Sequence, residues 1–359
     1  MRIGFGHLGH THILWHRFMG YCGIELAPPP PSSQAALDIG IQYCPEGLCT
    51  PCKILFGNYV QSLDQGSDCL VMLGGERTCR LGYSVREQTL LLRRLGYEFQ
   101  MHVLDLQNFA PSVLSLVRQL VDRPPQFLLE AVRFLIDLIN LIDDVERVTL
   151  RIRPREGRRG QTDQALRRAL AEIGTLADRK ELRQRRAEIL EVVQEIPHEA
   201  EKPCPRVALV GDPYTIMESF FNLNMVETLG QLGLEINRWF WFDEGIQFNP
   251  IPRLLGRSID QVYDRLAEAY LAVDVGGFVR SSVGAAAHFV RQGYDGLIHV
   301  APFGCTPESV GEVVLKAARQ DGLPLLSLEF DEQTGRAGLL TRLEAYTDML
   351  LRHWRTPRG

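Results

Sequence analysis

Lysine is rare in this sequence, and several familiar signatures are missing. Only four of its 39 basic residues are lysine, a bias that we attribute to genome composition. No uninterrupted run of about 18 apolar residues occurs, so we expect no transmembrane helix. The first residues, MRIGFGHLGH, lack a long apolar core and a cleavage site of small residues, so we expect no secretory signal and a cytoplasmic location. The net charge of -5 lacks the basic excess that is typical of nucleic-acid binders.

The composition is otherwise that of a soluble globular protein. The chain has 359 residues, of which 45% are hydrophobic and 23% are charged, and this length predicts two or three domains. Its unusual feature is eight cysteines without an export signal. Disulfides are rare in reducing compartments, so we expect these cysteines to be metal ligands, catalytic thiols or small buried residues.

The order of apolar segments predicts two α/β lobes with a helical segment between them. Short apolar strands such as CLVML (69–73) alternate with helical patterns over residues 1–106, which indicates a parallel sheet. Residues 107–204 show the spacing of long amphipathic helices. A second α/β lobe occupies residues 205–359, beginning with the strand RVALVG and one helix from about Tyr214 to Leu232.

Three cysteines lie close together in a loop of the first lobe. Cys44, Cys49 and Cys52 have the spacing C-x4-C-x2-C, and Cys79 follows later. This spacing resembles the plant-type ferredoxin pattern, in which four thiolates hold an iron–sulfur cluster. A zinc site and unligated thiols remain alternatives.

Two cysteines follow strands at the sheet edge where ligands usually bind. Cys79 comes after CLVML, and Cys305 comes after GLIHV, directly before a predicted helix whose dipole would stabilise a thiolate. Ligands of open parallel sheets bind beyond the carboxyl ends of the strands. The two lobes could therefore hold a cluster in the cleft between them. The three cysteines that we interpret as packing residues are Cys22, Cys69 and Cys204.

Four histidines follow the first strand. His7, His10, His12 and His16 lie in the segment GHLGHTHILWH, with no carboxylate or cysteine beside them. Nickel, zinc or iron could use such spacings, but we favour a turn that faces substrate or solvent.

Several segments resemble the 2-hydroxyacyl-CoA dehydratase superfamily. The first, CTPCKILFGNYV (49–60), resembles its C-x-P-x-K…G motif. The other four are GDPYTIMESFFNLNMVETLGQLG (211–233), GGERTCRLGYSVREQ (74–88), DGLIHVAPFGCTPESV (295–310) and DEQTGRAGLLTRLEAYTDML (331–350). The branch they are most similar to is that of the stand-alone CoA protein activase, or CoA-substrate-specific enzyme activase-related, proteins. These are relatives of the dehydratase cluster-binding subunits and of double-cubane cluster proteins.

The resemblance implies an oxygen-sensitive [4Fe–4S] cluster between Rossmann-like lobes, held by Cys49, Cys79 and Cys305, with one iron open to water or substrate. An ATP-hydrolysing activase would supply a low-potential electron. The substrate would be an acyl-CoA or another small molecule, and the partner a homologous subunit or a second copy. Cys44 and Cys52 are extra candidate ligands, and a double-cubane cluster is the less favoured alternative.

Other residues of the motifs are candidates for tuning such a cluster. Backbone N–H groups of three glycines could donate to its sulfurs; these are Gly74, Gly75 and Gly304. Three basic side chains could balance its charge, although surface ion pairing is an equal alternative; these are Lys53, Arg80 and Arg342.

Two carboxylates are candidate acid or base groups. Glu308 and Glu344 lie in the C-terminal motifs, and Lys53 is a third candidate for a catalytic role. Structural pairing of the carboxylates is the favoured alternative. The segment Gly-Gly-Phe (276–278) departs from relatives that carry a histidine after the glycines, which puts an inherited proton-transfer role there in doubt.

The chain lacks the G-x-x-x-x-G-K-[ST] phosphate loop and an actin-like ATPase signature. We therefore expect it to accept electrons rather than hydrolyse ATP, as a dehydratase-like lyase or an iron–sulfur reductase. A non-catalytic cluster carrier or accessory protein and a zinc-stabilised binding protein are the alternatives.

Overall fold

The computed structural model describes residues 1–75, 80–105, 109–245, 258–318 and 323–355. Its strands are β1 (Arg2–Phe5), β2 (Glu25–Leu26), β3 (Cys69–Gly74), β4 (Gln100–Asp105), β5 (Arg206–Gly211), β6 (Glu235–Arg238), β7 (Gly296–Pro302) and β8 (Leu325–Phe330).

The strands form two parallel sheets with the same topology. The first has the order β2-β1-β3-β4, and the second has the order β6-β5-β7-β8. Their central strands are apolar runs such as LVML and RVALVG, and every residue of β7 is buried, as expected for parallel sheets that helices cover on both faces. The prediction of two parallel α/β lobes is confirmed.

The helices flank and connect these sheets. They are α1 (Thr11–Cys22), α2 (Gln34–Tyr43), α3 (Thr50–Asp64), α4 (Arg80–Arg94), α5 (Phe109–Leu120), α6 (Pro125–Ile152), α7 (Gln161–Ile173), α8 (Arg179–Gln194), α9 (Pro213–Met217), α10 (Met225–Gln231), α11 (Phe242–Gly245), α12 (Ile259–Ala267), α13 (Val279–Arg291), α14 (Thr306–Ala317) and α15 (Arg336–Arg355), with a short 3-10 turn at Arg153–Arg155.

The segment between β4 and β5 is helical in the described residues, and α6 is its longest helix, with 28 residues. One face of α6 is buried and apolar, and it packs against α1 of the first lobe and β6 of the second. Asp178 caps α8 by accepting a hydrogen bond from the backbone N–H of Glu181 at 2.9 Å. Because α6 contacts both lobes, the hydrophobic core is continuous across them.

Both lobes contain a pair of helices that cross closely at a glycine. A Cβ atom added at Gly57 of α3 would lie 1.9 Å from the carbonyl oxygen of Ala36 in α2. In the second lobe, a Cβ added at Gly284 of α13 would lie 1.8 Å from the carbonyl oxygen of Tyr263 in α12. Only glycine permits either crossing.

The prediction of one helix from about Tyr214 to Leu232 is wrong. Leu223 and Asn224 have φ values of 57° and 58°, which a right-handed helix cannot contain. The chain therefore breaks between α9 and α10. In the described ranges, no helix is both long and apolar enough to cross a membrane.

Candidate functional site

Segments that follow strands of the two sheets contact each other. In a parallel sheet of order 2-1-3-4, successive strands are added on opposite sides of the first strand, and ligands bind at the switch point between the first and third strands. Two contacts join the segments beyond these points. Lys53 of α3 forms an ion pair with Glu332, with Nζ and Oε1 2.5 Å apart. The backbone N–H of Gly9 donates to Oε2 of Glu218 at 3.0 Å.

Cys49 and Cys52 form a thiol pair at the start of α3. Cys49 occupies the N-cap position, and Pro51 lies in the first turn, where its fixed φ favours the start of a helix. The two Sγ atoms lie 3.4 Å apart. Cys52 is fully buried, and its carbonyl oxygen accepts a hydrogen bond from Gln88 at 3.0 Å.

The contact between the two cysteines lowers the pKa of Cys49. This lowering of the pKa comes from the hydrogen bond with Cys52, against the opposing effect of burial. The partial positive charge at the helix N-terminus acts in the same direction. Thiolates are the preferred ligands of iron–sulfur clusters and of structural zinc.

The remaining first-lobe cysteines of the described ranges have apolar surroundings. Burial raises the pKa of Cys44 to about 12 and that of Cys69 to about 11. Cys22 behaves in the same way, since burial raises its pKa to about 12. These are the environments of packing thiols, and in the second lobe burial also raises the pKa of Cys204.

Cys305 occupies the N-cap position of α14, directly after β7. Its N–H donates to the carbonyl oxygen of Pro302 at 3.1 Å, and its own carbonyl oxygen accepts from the hydroxyl group of Ser309 at 3.0 Å. The preceding Gly304 has a φ of 77°, and a Cβ added there would meet no atom within 4 Å. Backbone bonds therefore fix Cys305 at the start of α14, and the space beside the Cα atom of Gly304 is open.

The corresponding segment of the first sheet is only partly described. Gly74 is the last residue of β3. Gly75 has a φ of 126°, and a Cβ added there would clash with Oδ1 of Asp105 at 2.4 Å. Cys79 and the side chain of Arg80 lie outside the described residues. Their predicted roles stay predictions.

Glu308 is a buried member of an acid–imidazole pair. Oε2 of Glu308 lies 2.9 Å from Nε2 of His299 on β7, and the two residues are 2% and 1% exposed. A nearby carboxyl, Asp212, follows β5 and accepts hydrogen bonds at 2.8 Å from the N–H and the hydroxyl of Thr215. Burial raises the pKa of Asp212 to about 6. The second lobe thus brings together a buried acid–imidazole pair and a carboxyl group of raised pKa.

Two other predicted site residues, Arg342 and Glu344, lie on the exposed face of α15. Arg342 donates to the carbonyl oxygen of Ser327 at 2.6 Å, and its side chain is exposed on α15. Glu344 is exposed on the same helix. Among the residues that the structure describes, no group of three or more His, Cys, Asp or Glu side chains could hold a metal ion.

The family comparison matches most of the chain. The model of the 2-hydroxyglutaryl-CoA dehydratase D-component matches residues 31–350. The chain belongs to the 2-hydroxyglutaryl-CoA dehydratase D-component family. No curated protein matches the chain. The D-component match includes the thiol pair and Cys305, but β1 and the histidine-rich turn lie before it.

Sequence reasoning missed several cleft residues of this D-component relative. Asp212 has a local signal, because an Asp directly after a strand and before Pro213 is typical of a helix cap. His299 and Glu332 had none, since their partners lie 9 and 279 residues away in the sequence. The sequence GFGHLG at 4–9 matches the pattern G-x-G-x-x-G, which was a second overlooked signal.

Proposed function

We propose that this chain is an iron–sulfur redox component of a 2-hydroxyacyl-CoA dehydratase-like system. The observation that carries the proposal is Cys49, a thiol of lowered pKa at a helix N-terminus in the inter-lobe cleft of a D-component family member. Cys305 supports it, because it occupies the equivalent kind of position on the facing lobe.

Cys49 and Cys305 would hold the cluster together with Cys79, and Cys52 is an additional candidate. Their donor chemistry fits a thiolate-ligated cluster. When bound, such a cluster would supply a one-electron centre with one iron position not taken by a protein thiolate. Backbone N–H groups near Gly75 and Gly304 would tune its potential.

The chain's own residues would supply charge and protons around that centre. Lys53, which is buried and paired with Glu332, places a positive charge one residue after Cys52. Asp212 would hold or release a proton near neutral pH, because burial raises its pKa to about 6. His299 would keep Glu308 oriented behind Cys305.

The partner in this proposal is an ATP-dependent activase that delivers the electron. The substrate is an acyl-CoA or a related small molecule. The alternative is a cluster carrier for a larger dehydratase-like system, which would hold the same cluster but convert no substrate itself.

Anaerobic purification tests the cluster. We expect a brown protein with about four irons and equal acid-labile sulfide per chain, as a [4Fe–4S] cluster requires, and a reduced form with an electron paramagnetic resonance signal. Cys204→Ser is the matched control, because Cys204 is buried outside the cleft. A colourless protein that contains zinc would contradict the proposal.

An anaerobic assay with an activase, ATP and a low-potential reductant separates enzyme from carrier. Conversion of a 2-hydroxyacyl-CoA that depends on ATP supports the catalytic role. A protein that is reduced under these conditions but converts no acyl-CoA tested, while passing its electron to a dehydratase, would assign it the carrier role.

A further inference from the structure

The turn between β1 and α1 has the sequence pattern of a dinucleotide-binding site. Residues 4–9 read GFGHLG, which matches G-x-G-x-x-G between a strand and a helix. In nucleotide-binding sheets these glycines let the backbone approach a pyrophosphate at the helix N-terminus. Here β1 also borders the switch point of the sheet, because β2 and β3 lie on opposite sides of it. Residues 1–30 precede the family match, so the family does not account for this turn.

The three glycines make room for protein atoms instead. A Cβ at Gly4 would lie 1.9 Å from Oγ of Ser62, and one at Gly6 would lie 2.4 Å from a side-chain carbon of Leu55. Gly9 has a φ of 51°, and its added Cβ would lie 3.0 Å from the carbonyl oxygen of Met217. The first two contacts are with α3, and the third is with the second lobe.

The place of a phosphate is taken by the carboxyl group of Glu218. Oε2 of Glu218 accepts the N–H of Gly9 at 3.0 Å, directly before α1. Glu218 is 7% exposed. Because the N-terminal end of a helix carries a partial positive charge, it favours an anion at this position. The carboxyl group of Glu218, from the second lobe, occupies this position; burial raises its pKa, and the hydrogen bond from Gly9 opposes that effect.

The acidic residue that hydrogen-bonds the ribose of a dinucleotide is absent from its expected position. In nucleotide-binding sheets it follows the second strand at the carboxyl edge. Here Glu25 starts β2 and pairs with Arg2 at the opposite edge, with 2.8 Å between Nε and Oε1. The residues that follow β2 are Ala27 and a run of prolines.

The next residue of the turn is also tied to other parts of the chain. Nδ1 of His10 lies 2.5 Å from Oε1 of Glu146 on α6, and the other oxygen of Glu146 accepts a hydrogen bond from Arg238 on β6. Glu146 and Arg238 are buried. Two consecutive residues, Gly9 and His10, therefore connect the first lobe to the second lobe and to α6.

We infer that the G-x-G-x-x-G turn is an inter-lobe docking element rather than a nucleotide site, and that Glu218 is the positioning residue that holds the second lobe against it. The inference holds whether or not the chain binds a cluster.

Hydrogen–deuterium exchange of the full-length chain tests this inference. In Glu218→Ala, we expect exchange in peptides covering residues 6–12 to accelerate about tenfold, as loss of a buried hydrogen bond predicts, while peptides of α7 and α8 stay unchanged. Glu218→Gln keeps an acceptor oxygen and should restore most of the protection. Glu227→Gln is the matched control, because Glu227 also lies near His10 but contacts Ser219 rather than Gly9.

Two results would overturn the inference. One is unchanged exchange at residues 6–12 in a folded Glu218→Ala protein, or acceleration that is uniform along the chain. The other is saturable binding of NAD or ADP to the wild-type protein that Gly9→Val abolishes.

Discussion

The two lobes share a topology but differ in the chemistry of their cleft residues. Each has a four-stranded parallel sheet of the same order, a helix pair that crosses on a glycine, and a cysteine after its third strand in the chain. In the first lobe, the N-cap residue of the second helix of the pair is Cys49. In the second lobe, the N-cap residue of the equivalent helix is Phe278, which packs against Trp239 with ring centroids 6.2 Å apart.

This difference assigns separate tasks to the two halves of one cleft. The first lobe contributes a thiol pair in which one pKa is lowered. The second contributes one thiol, Cys305, together with the buried His299–Glu308 pair and Asp212. The described thiols at helix N-termini are therefore more numerous on one side, and the acid and imidazole side chains lie on the other.

Thiol alkylation gives the largest expected contrast. Burial raises the pKa of Cys44 to about 12, whereas the hydrogen bond with Cys52 lowers the pKa of Cys49. In the metal-free chain at pH 7.5, iodoacetamide should therefore react with Cys49 ~1000-fold faster than with Cys44, or more, because only the thiolate reacts and even an ordinary thiol has a pKa of only about 8.5. Tandem mass spectrometry of the labelled peptide measures both rates. Equal alkylation rates of Cys49 and Cys44 would contradict a lowered pKa of Cys49.

Breaking the buried pair of the second lobe has the next largest effect. His299→Ala leaves the carboxyl group of Glu308 buried without its partner, which should lower the free energy of unfolding by about 3 kcal/mol or more. Urea denaturation measures this value. The double variant His299→Leu/Glu308→Met should regain much of the loss. If His299→Ala unfolds at the wild-type urea concentration, the pair does not stabilise the second lobe.

The two glycine crossings give a matched comparison of the lobes. Gly57→Ala and Gly284→Ala each introduce a Cβ within 2 Å of a backbone oxygen, and each should cost about 1–3 kcal/mol of stability. Only Gly57→Ala should also change the alkylation rate of Cys49, because α3 carries that residue. An equal effect of both variants on Cys49 would show that the lobes do not act separately.

A carboxyl group on the helix that joins the lobes should give a smaller effect, a dependence of the free energy of unfolding on pH. Burial raises the pKa of Asp143 on α6 to about 8. A folded-state pKa above the unfolded value means that the folded chain binds this proton more tightly, so its stabilisation is complete below pH ~4 and declines as the pH rises to ~8. Asp143→Asn should remove this decline, because an amide does not titrate. The amide oxygen can still accept the hydrogen bond from the backbone N–H of Asp243. Unfolding by urea at pH 5 and pH 8.5 measures the difference, and an identical pH dependence in the variant would contradict it.

The sequence predicted both lobes because their central strands are apolar runs bounded by glycines, such as CLVML before Gly74. It did not predict β2, which has only two residues, or the break before Asn224, where positive φ values have no local apolar signal. The position of Cys305 before a helix followed from local sequence, whereas Cys49 and Cys52 were expected in a loop; the structure has Cys49 as the N-cap and Cys52 within the first turn of α3. The ion pair of Lys53 with Glu332 did not follow from local sequence, because only the tertiary fold brings these residues together.

The central claim is that one site draws thiolates from both lobes. Iron and sulfide content after anaerobic purification of Cys49→Ser and Cys305→Ser tests it most directly, with Cys204→Ser as the control. The account predicts that either cleft variant loses the cluster while the control retains it. Wild-type iron and sulfide in Cys305→Ser, with loss in Cys49→Ser, would contradict the account and indicate a local site within the first lobe.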